Sequence, residues 1–354
     1  MSPRESQRVR LRDVAARAGV SLGSASQAFG RPELVSDAVR ERVLAAAEAL
    51  GYGGPDPAAR SLRLGRAGAL GLIFSERLRY QFTDPAAPPF LTGLARGMED
   101  ANLGLLLIPD SRFRETAADT VRGASVDGFV IYSAARNDLR VEAALARHLP
   151  AVTVDQPRNT PTAFIGIDDR AAARTAAEHL RELGHERVAV LSFTSAIDAE
   201  GRLALDMSAE RLAGYKDGLG SAWDDRAVRI CRPNRPEPAR LAALELLQSE
   251  APPTGILAMS DVLALGALQA AADLGIDVPA ELSIVGFDDS PAAELATPPL
   301  TTISQPLEEK GALAAKWLIE AIEHGGVSRR RRRKAILPTE LVVRQSTAPP
   351  RPVR

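Results

Sequence analysis

The stretch RDVAARAGVSLGSASQ, residues 12–27, places two short helical patterns on either side of a single glycine. Before the glycine, apolar residues recur at helical spacing, at Leu11, Val14, Ala15 and Ala18. Gly19 can adopt the left-handed backbone conformation that ends a helix, and the Ser21 hydroxyl can cap the helix that follows. The stretch therefore predicts two helices joined by a tight turn.

A third helical pattern begins at Ser36 and ends at Gly51, with apolar positions at Val39, Val43, Ala46, Ala47 and Leu50. The inner stripe of the second helix is predicted at Leu22, Ala25 and Ala28 or Phe29. Three short helices with a glycine turn between the first two are typical of a helix-turn-helix domain.

Charge is distributed unevenly along the chain. Residues 1–66 contain eleven arginines and seven acidic residues, a net charge of +4, so the other 288 residues carry −5 within the total of −1. A basic segment attached to an acidic body suggests that the segment meets phosphate groups.

Length and composition bound the class of protein. With 354 residues the chain exceeds the ~250–300 residues at which single cores stop growing, so two or three domains are expected. No signal-like segment and no run of about 18 apolar residues is present, which predicts a cytoplasmic protein. Cys231 is the single cysteine and is predicted to be a small buried apolar residue, without partners for a disulfide or a zinc site.

After Gly68, short apolar runs alternate with helical patterns. The runs are GALGLIFS, GLLLIPD, GFVIYS, PAVTVD, RVAVLS, GILAMS and LSIVGFD. Continuous apolar runs separated by helices predict parallel strands covered on both faces, which is an α/β fold. The number of runs favours two doubly wound lobes that divide near 163–167. No GxGxxG motif follows a predicted strand, which argues against a dinucleotide-binding enzyme.

In their order, these motifs resemble one known family. RLRDVAARAGVSLGSASQAF, VSDAVRERVLAAAEALGY and AARSLRLGR resemble the head and hinge of the lactose-repressor (LacI/GalR) family of bacterial transcription regulators. The likeness continues through AMSDVLALGAL (258–268), LSIVGFDDS (282–290) and PPLTTISQP (298–306), and spans Val9 to about Thr347.

The resemblance implies the domain organisation. We expect a helix-turn-helix DNA-binding head at 1–54, a hinge with a hinge helix at 55–67, and an effector-binding and dimerisation body at 68–347. The body should consist of two Rossmann-like lobes, as in periplasmic sugar-binding proteins.

The lobes are expected to exchange segments of chain. The resemblance implies a first lobe of 68–165 plus 290–324, and a second lobe of 166–289 plus 325–347. Residues 348–354, with the sequence APPRPVR after Thr347, should form a flexible tail. Because this tail has no leucine heptads, a homodimer is favoured over a tetramer.

The head contains the residues expected to contact DNA. In the family, the positions of Leu22, Gly23 and Gln27 choose the operator sequence, and Gln27 suits the N6/N7 edge of adenine. Packing within the head remains an equal alternative for Leu22. Phosphate contacts are expected from Arg12, Ser21, Ser24 and Ser36, although Ser21 and Ser36 also fit simple helix caps.

Leu62 in the hinge and the arginine run after the last predicted helix allow two interpretations each. Leu62 matches the leucine with which family members wedge open the minor groove, against the alternative of a core residue. The run Arg329–Arg333 with Lys334 is interpreted as a solvated crossover loop rather than a second DNA patch.

Polar residues at predicted strand ends indicate a ligand cleft. The residues that match effector-binding positions of the family are Asp155, Arg211, Asp261, Asp288 and Gln305. Carboxylates and a guanidinium bind hydroxyl groups, which suits a sugar or a nucleoside. Asp261 or its neighbour Ser260 could instead cap a helix, and one of Asp288 and Asp289 could be structural. Phe82, Phe90 and Phe164 fit either an apolar wall of the cleft or the core.

The resemblance implies a transcriptional repressor that binds a palindromic operator as a homodimer and responds to a small polyhydroxylated effector, with no cofactor or metal. An enzyme of a doubly wound class is the main alternative, but no Walker loop, nucleophile elbow or paired catalytic His and Cys occurs. A transport binding protein is disfavoured by the helix-turn-helix head and the lack of a signal peptide.

Overall fold

The computed structural model describes residues 9–54, 65–74, 78–109, 114–193, 206–324 and 333–351. The chain separates into two compact units, Met1–Ala67 and Gly68–Arg354.

The first unit contains the three predicted helices. These are α1 (Leu11–Ala18), α2 (Leu22–Gly30) and α3 (Asp37–Leu50), with a 3-10 turn at Pro32–Leu34. Gly19 and Gly51 end α1 and α3, both with a φ of 64°, as the sequence predicts. The core is built from small residues that let the helices approach closely: Val14, Ala15, Ala18, Ala25, Ala28, Val43, Ala46 and Ala47.

Leu22 departs from the predicted inner stripe of α2. Its side chain is 54% exposed, and the buried face of the helix is carried by Ala25 and Ala28. Packing in the head therefore does not explain Leu22, because the first residue of α2 lies outside the contact with α1 and α3.

The second unit contains two six-stranded sheets, one in each lobe. The first-lobe strands are β1 (Ala69–Phe74), β2 (Gly104–Ile108), β3 (Gly128–Tyr132), β4 (Ala151–Val154), β5 (Ala163–Ile167) and β11 (Lys334–Leu337). The second-lobe strands are β6 (Val188–Ser192), β7 (Val228–Ile230), β8 (Gly255–Ala258), β9 (Ser283–Asp288), β10 (Thr301–Ser304) and β12 (Glu340–Val342). The orders are β11-β5-β4-β3-β1-β2 and β12-β10-β9-β8-β6-β7.

Within the described residues, the strand pairs are parallel except the antiparallel pair of β10 and β12. Strands such as β3, β4 and β8 are buried along their whole length, because helices cover both faces. The predicted α/β class, with two doubly wound lobes and a helical head, is confirmed.

Helices flank both sheets. They are α4 (Leu78–Gln81), α5 (Ala87–Asp100), α6 (Arg114–Gly123), α7 (Leu139–Ala146), α8 (Asp169–Glu182), α9 (Asp206–Leu219), α10 (Pro236–Leu247), α11 (Asp261–Leu274), α12 (Pro291–Leu295) and α13 (Leu307–Glu323). Helix α13 is held against α5 by glycine contacts. A Cβ at Gly93 would lie 1.9 Å from the carbonyl oxygen of Glu308, and one at Gly311 would lie 2.1 Å from that of Phe90.

The prediction that residues 290–324 belong to the first lobe is wrong in its first half. Strand β10 pairs in parallel with β9, from Thr301 opposite Val285 to Ser304 opposite Asp288, so the chain is still in the second lobe there. It crosses to the first lobe with α13. Such pairings join strands that are separated along the chain, and local patterns do not reveal them.

The prediction that residues 325–347 belong to the second lobe is also wrong for the first of the two strands there. Strand β11 pairs with β5 in the first lobe, and only β12 joins the second lobe, beside β10. The final chain segment therefore adds one strand to each sheet.

The described part of the predicted flexible tail is bound to the second lobe. The Ala348 amide donates to Ser283 Oγ at 3.0 Å, and the Ala348 carbonyl lies 3.0 Å from His185 Nε2. Arg351 forms an ion pair of 3.2 Å with Glu281. The prediction of flexibility is wrong for these residues, because side chains of the second lobe satisfy the backbone of a segment without secondary structure of its own.

Candidate functional site

The exposed face of α2 carries the predicted base-reading residues. Leu22, Gly23 and Gln27 are all exposed. A Cβ at Gly23 would meet only Ser21 Oγ, at an ordinary contact distance of 3.6 Å. The fold of the head therefore does not require glycine at this position, and its absent side chain leaves the surface of α2 open to close approach.

The predicted phosphate contacts lie at helix beginnings and on the surface of the head. The Arg12 guanidinium is exposed, with Nε 3.6 Å from Asp13 Oδ1. Ser21 caps α2 by accepting from the Ser24 amide at 3.0 Å, and the two hydroxyls are 2.9 Å apart. Ser36 occupies the N-cap position of α3, but its side chain makes no capping bond.

Of Leu62 and the arginine run 329–333, the structure describes Arg333. Leu62 and Arg329 to Arg332 lie outside the described residues. Arg333 forms an ion pair with Glu320, and its guanidinium lies 5.7 Å from the centre of the Trp317 ring. Arg333 is thus bound to the side of α13.

Backbone strain marks the strand ends where the two lobes meet. Ser133, Asp155, Asp288 and Asp289 have φ values of 52°, 63°, 111° and 55°. They follow β3 and β4 in the first lobe or end β9 in the second. Positive φ is uncommon for residues other than glycine and clusters at ligand-binding sites. Asp155 and Asp288 thus come from different lobes at the sheet edge where α/β proteins bind ligands.

A chain of hydrogen bonds joins three of the predicted effector residues through Lys310. Lys310 Nζ donates to Asp155 Oδ1 at 2.6 Å and to Gln305 Oε1 at 2.5 Å. Gln305 Nε2 donates to Asp288 Oδ1 at 2.5 Å. Because Asp155 and Lys310 belong to the first lobe and Asp288 to the second, this chain connects the lobes.

Arg211 on α9 lies within the second lobe and is buried. Its Nε donates to Asp169 Oδ1 at 2.9 Å, and its Nη1 donates to the Met259 carbonyl at 2.6 Å. The guanidinium lies 3.5 Å from the centre of the Phe287 ring, and its Nη1 lies 3.7 Å from Asp288 Oδ1. These contacts fix Arg211 beside Asp288, as the sequence predicts for a shared site.

The Asp261 carboxylate is buried and accepts two hydrogen bonds from residues of its own lobe. Its Oδ2 accepts from the Ser290 amide at 2.7 Å, and its Oδ1 accepts from Thr302 Oγ1 at 2.6 Å. Burial raises its pKa from 3.8 to about 6, against the opposing effect of these two bonds. The neighbouring Ser260 caps α11 by accepting from the Leu263 amide. This geometry favours a structural role for Asp261 over the predicted ligand contact.

The electrostatics of the cleft also involve residues that the sequence did not reveal. Burial raises the pKa of Asp288 well above its usual value; Arg211 opposes this rise, whereas Asp261 and Asp84 add to it. Burial is also the largest cause of a raised pKa at Tyr132, and the negative charges of Asp155, Asp84 and Asp288 raise this pKa further. Asp84 and Tyr132 of the first lobe therefore lie within electrostatic range of Asp288 in the second.

Further contacts between the lobes escaped sequence reasoning. Asn234 Nδ2 of the second lobe donates to the Tyr80 hydroxyl of the first lobe at 2.8 Å, and within the second lobe Ser260 Oγ donates to Asn234 Oδ1 at 2.9 Å. Asp169 also accepts from Arg158 at 2.7 Å. No motif marked Asn234, Tyr80 or Arg158, and Lys310 falls in a helical pattern where lysine usually indicates a solvated face.

The aromatic residues considered for the cleft wall divide into three cases. Phe82 is 70% exposed. Phe90 is buried and stacks on Tyr132, with ring centres 4.0 Å apart. Phe164 is buried beneath the Arg158 guanidinium, which lies 5.9 Å from the centre of its ring. Of these three residues, Phe90 packs on Tyr132, whose hydroxyl is in electrostatic range of Asp155 and Asp288.

Within the described ranges, no group of three or more His, Cys, Asp or Glu side chains is arranged to hold a metal ion. None of the helices in the same ranges is long and apolar enough to cross a membrane. Cys231 is buried, and burial raises the pKa of its thiol to about 11, as expected of an unreactive core residue.

Two family models match the chain. Residues 10–54 match the bacterial regulatory proteins of the lacI family, and residues 177–347 match the periplasmic binding protein-like domain. Over 366 aligned residues the chain is 38% identical to the HTH-type transcriptional regulator Rv3575c of Mycobacterium tuberculosis, covering 99% of this chain and 100% of that protein.

Solved structures show the same likeness. The lac repressor dimer bound to operator and the anti-inducer ONPF is similar with a TM-score of 0.79 and 25% identity, covering 97% of this chain and 100% of that one. The complex of the transcriptional regulator CelR with cellobiose is similar with a TM-score of 0.70 and 28% identity, covering 96% and 100%.

Proposed function

Because the chain belongs to the LacI family of DNA-binding transcriptional regulators, we propose that it is a repressor that binds a palindromic operator as a homodimer and is switched by a small polyhydroxylated ligand. A two-fold operator requires two heads, which supports a homodimer. We place the protein in the cytoplasm, where such a regulator meets DNA.

The exposed face of α2 supports the DNA-binding half of the proposal. Leu22 and Gln27 are exposed without a packing role in the head, and Gly23 removes bulk between them. Arg12 and Ser36 are exposed and Ser24 is half-buried on α2; they supply a guanidinium, a helix N-terminus and a hydroxyl, which are groups that hold phosphates.

The hydrogen-bond chain from Asp155 through Lys310 and Gln305 to Asp288 supports the proposal that a ligand binds between the lobes. Asp155 and Asp288 face one cleft from two lobes, with Gln305 between them and Arg211 beside Asp288. Carboxylate oxygens accept hydrogen bonds from hydroxyl groups, and a ligand that bonds both would draw the lobes together. The similar CelR structure holds cellobiose, a ligand of this chemistry.

The operator is tested by selecting bound fragments from random DNA and measuring the mass of the complex by light scattering. A palindromic motif bound by two chains is the expected result. A motif without two-fold symmetry, bound by one chain, would overturn the dimeric operator complex.

The ligand is tested by titrating labelled operator DNA in the presence of neutral sugars, including cellobiose and glucose, with Asp288→Asn as the variant. Asparagine tolerates the positive φ of this position. The variant should lose the ligand response and keep operator binding without ligand, whereas Asp224→Asn on the surface should change neither. A response retained in Asp288→Asn would remove the cleft as the effector site.

The coupling must also be reciprocal. Operator DNA should change the ligand affinity by the same factor as ligand changes operator affinity, typically ~5- to 150-fold. Calorimetry of the ligand with and without operator measures this factor directly, and a ligand affinity that operator DNA leaves unchanged would contradict the proposed coupling.

A further inference from the structure

Lys310 places a charge where the helix pattern requires an apolar residue. The inner face of α13 is otherwise apolar or small, with buried residues at Leu307, Gly311, Ala314, Ala315 and Leu318. Lys310 lies on the same face and has no exposed surface. Burying an ammonium group costs free energy unless the group is paired and hydrogen-bonded, so the partners of Lys310 account for its presence.

Both partners of Lys310 are residues of the proposed ligand cleft. Its Nζ bonds Asp155 Oδ1 and Gln305 Oε1. Because an ammonium group only donates, the Gln305 amide must turn its oxygen toward Lys310 and its nitrogen toward Asp288. Lys310 thereby fixes the Asp155 carboxylate directly and the Asp288 carboxylate through Gln305.

The cations around the cleft are already paired with carboxylates. Lys310 is neutralised by Asp155, and Arg211 and Arg158 both bond Asp169. In contrast, donors from the described residues reach only Oδ1 of Asp155 and only Oδ1 of Asp288. The cleft thus offers carboxylate oxygens as acceptors, whereas its positive charges are masked.

We propose that the Lys310–Asp155 pair is a charge filter that makes the cleft specific for uncharged polyhydroxylated ligands and excludes their phosphorylated and carboxylated forms. Lys310 acts as a positioning residue, since Asp155 and Gln305 stand between it and the cleft. Asp155 accepts from ligand hydroxyl groups and cancels the charge that would otherwise attract an anion. This specificity rests on the proposed ligand cleft.

The pair can be tested by unmasking the cation. Asp155→Asn keeps the shape of the side chain and suits the φ of 63° at this position, but leaves the Lys310 charge without its counterion. Calorimetry and thermal midpoints are measured with glucose, glucuronate, glucose 6-phosphate and inorganic phosphate, for wild type, Asp155→Asn and the double variant Asp155→Asn/Lys310→Met. Lys316→Met, an exposed lysine on the same helix, is the matched control.

Asp155→Asn should bind glucuronate or glucose 6-phosphate about 10-fold or more tightly than wild type does, because a newly unpaired cation favours an anion. The double variant should lose this gain, and Lys316→Met should match wild type. A purely structural pair would weaken all ligands alike and create no preference for anions.

Two results would overturn the charge filter: no gain in anion affinity in Asp155→Asn, or a gain that persists in the double variant. Both are judged on anion binding alone, so they remain decisive even if wild type binds no sugar. A failure of the proposed function is recognised separately, by an operator that no sugar releases or by a ligand response that survives in Asp288→Asn.

Discussion

Replacement of Arg211 by methionine should destabilise the second lobe strongly. The variant keeps the volume of the side chain but removes the donors to Asp169 and to the Met259 carbonyl, at 2.9 and 2.6 Å, and the charge beside Asp288. It also removes the guanidinium that lies 3.5 Å from the centre of the Phe287 ring.

The size of the loss follows from these contacts. Two hydrogen bonds from a buried charged group contribute about 1.5–3 kcal/mol each, and breaking a buried ion pair costs about 3–5 kcal/mol. Asp169 retains Arg158 as a partner at 2.7 Å, which places the loss at the lower end of this range. We therefore expect the free energy of unfolding to fall by about 3 kcal/mol.

Urea denaturation of the full chain, followed by tryptophan fluorescence and calorimetry, measures this change. Arg226→Met is the matched control, since Arg226 is 91% exposed and its ion pair with Asp224 is at the surface; its midpoint should not move. Operator binding without ligand should persist in both variants under native conditions, because the head is a separate unit. A loss below about 1 kcal/mol in Arg211→Met would refute the buried network as described.

Three further predictions concern the head, the hinge and the pH response. Gln27→Ala should change the preferred base at one symmetric pair of operator positions by ~1–3 kcal/mol in selection from random DNA, whereas Arg12→Ala should weaken all sequences alike and reduce the salt slope. Leu62→Ala should reduce operator bending and affinity in gel-shift assays while leaving ligand binding intact; unchanged bending would contradict the wedge. Asp261, whose pKa rises from 3.8 to about 6 in the folded chain, contributes stability below pH 4 that is lost as pH rises through 6. Asp261→Asn should therefore flatten the pH dependence of the unfolding midpoint in this window, and an unchanged slope would show that the carboxyl does not titrate there.

Local sequence determined the elements of this protein. Gly19 and Gly51 end helices because glycine tolerates positive φ. Most of the continuous apolar runs form buried parallel strands because both faces of the sheets are covered there, whereas the edge strand β2 is largely exposed. Asp288 and Gln305 lie together because the carboxyl ends of the neighbouring parallel strands β9 and β10 share one edge of the second-lobe sheet, and Asp155 follows β4 at the carboxyl edge of the first-lobe sheet.

Only the tertiary structure decided which sheet the strands β10 and β11 join and which residue pairs with the charge of Asp155. The pairing of β10 with β9, and of β11 with β5, depends on contacts between distant parts of the chain, which no local pattern encodes. The sequence did not show that Lys310 is buried, because its partner Asp155 lies far away along the chain. The two residues meet only because α13 packs against the first lobe. In the same way, Asp261 matches a ligand position by sequence, yet Ser290 and Thr302 bind its carboxylate inside the second lobe.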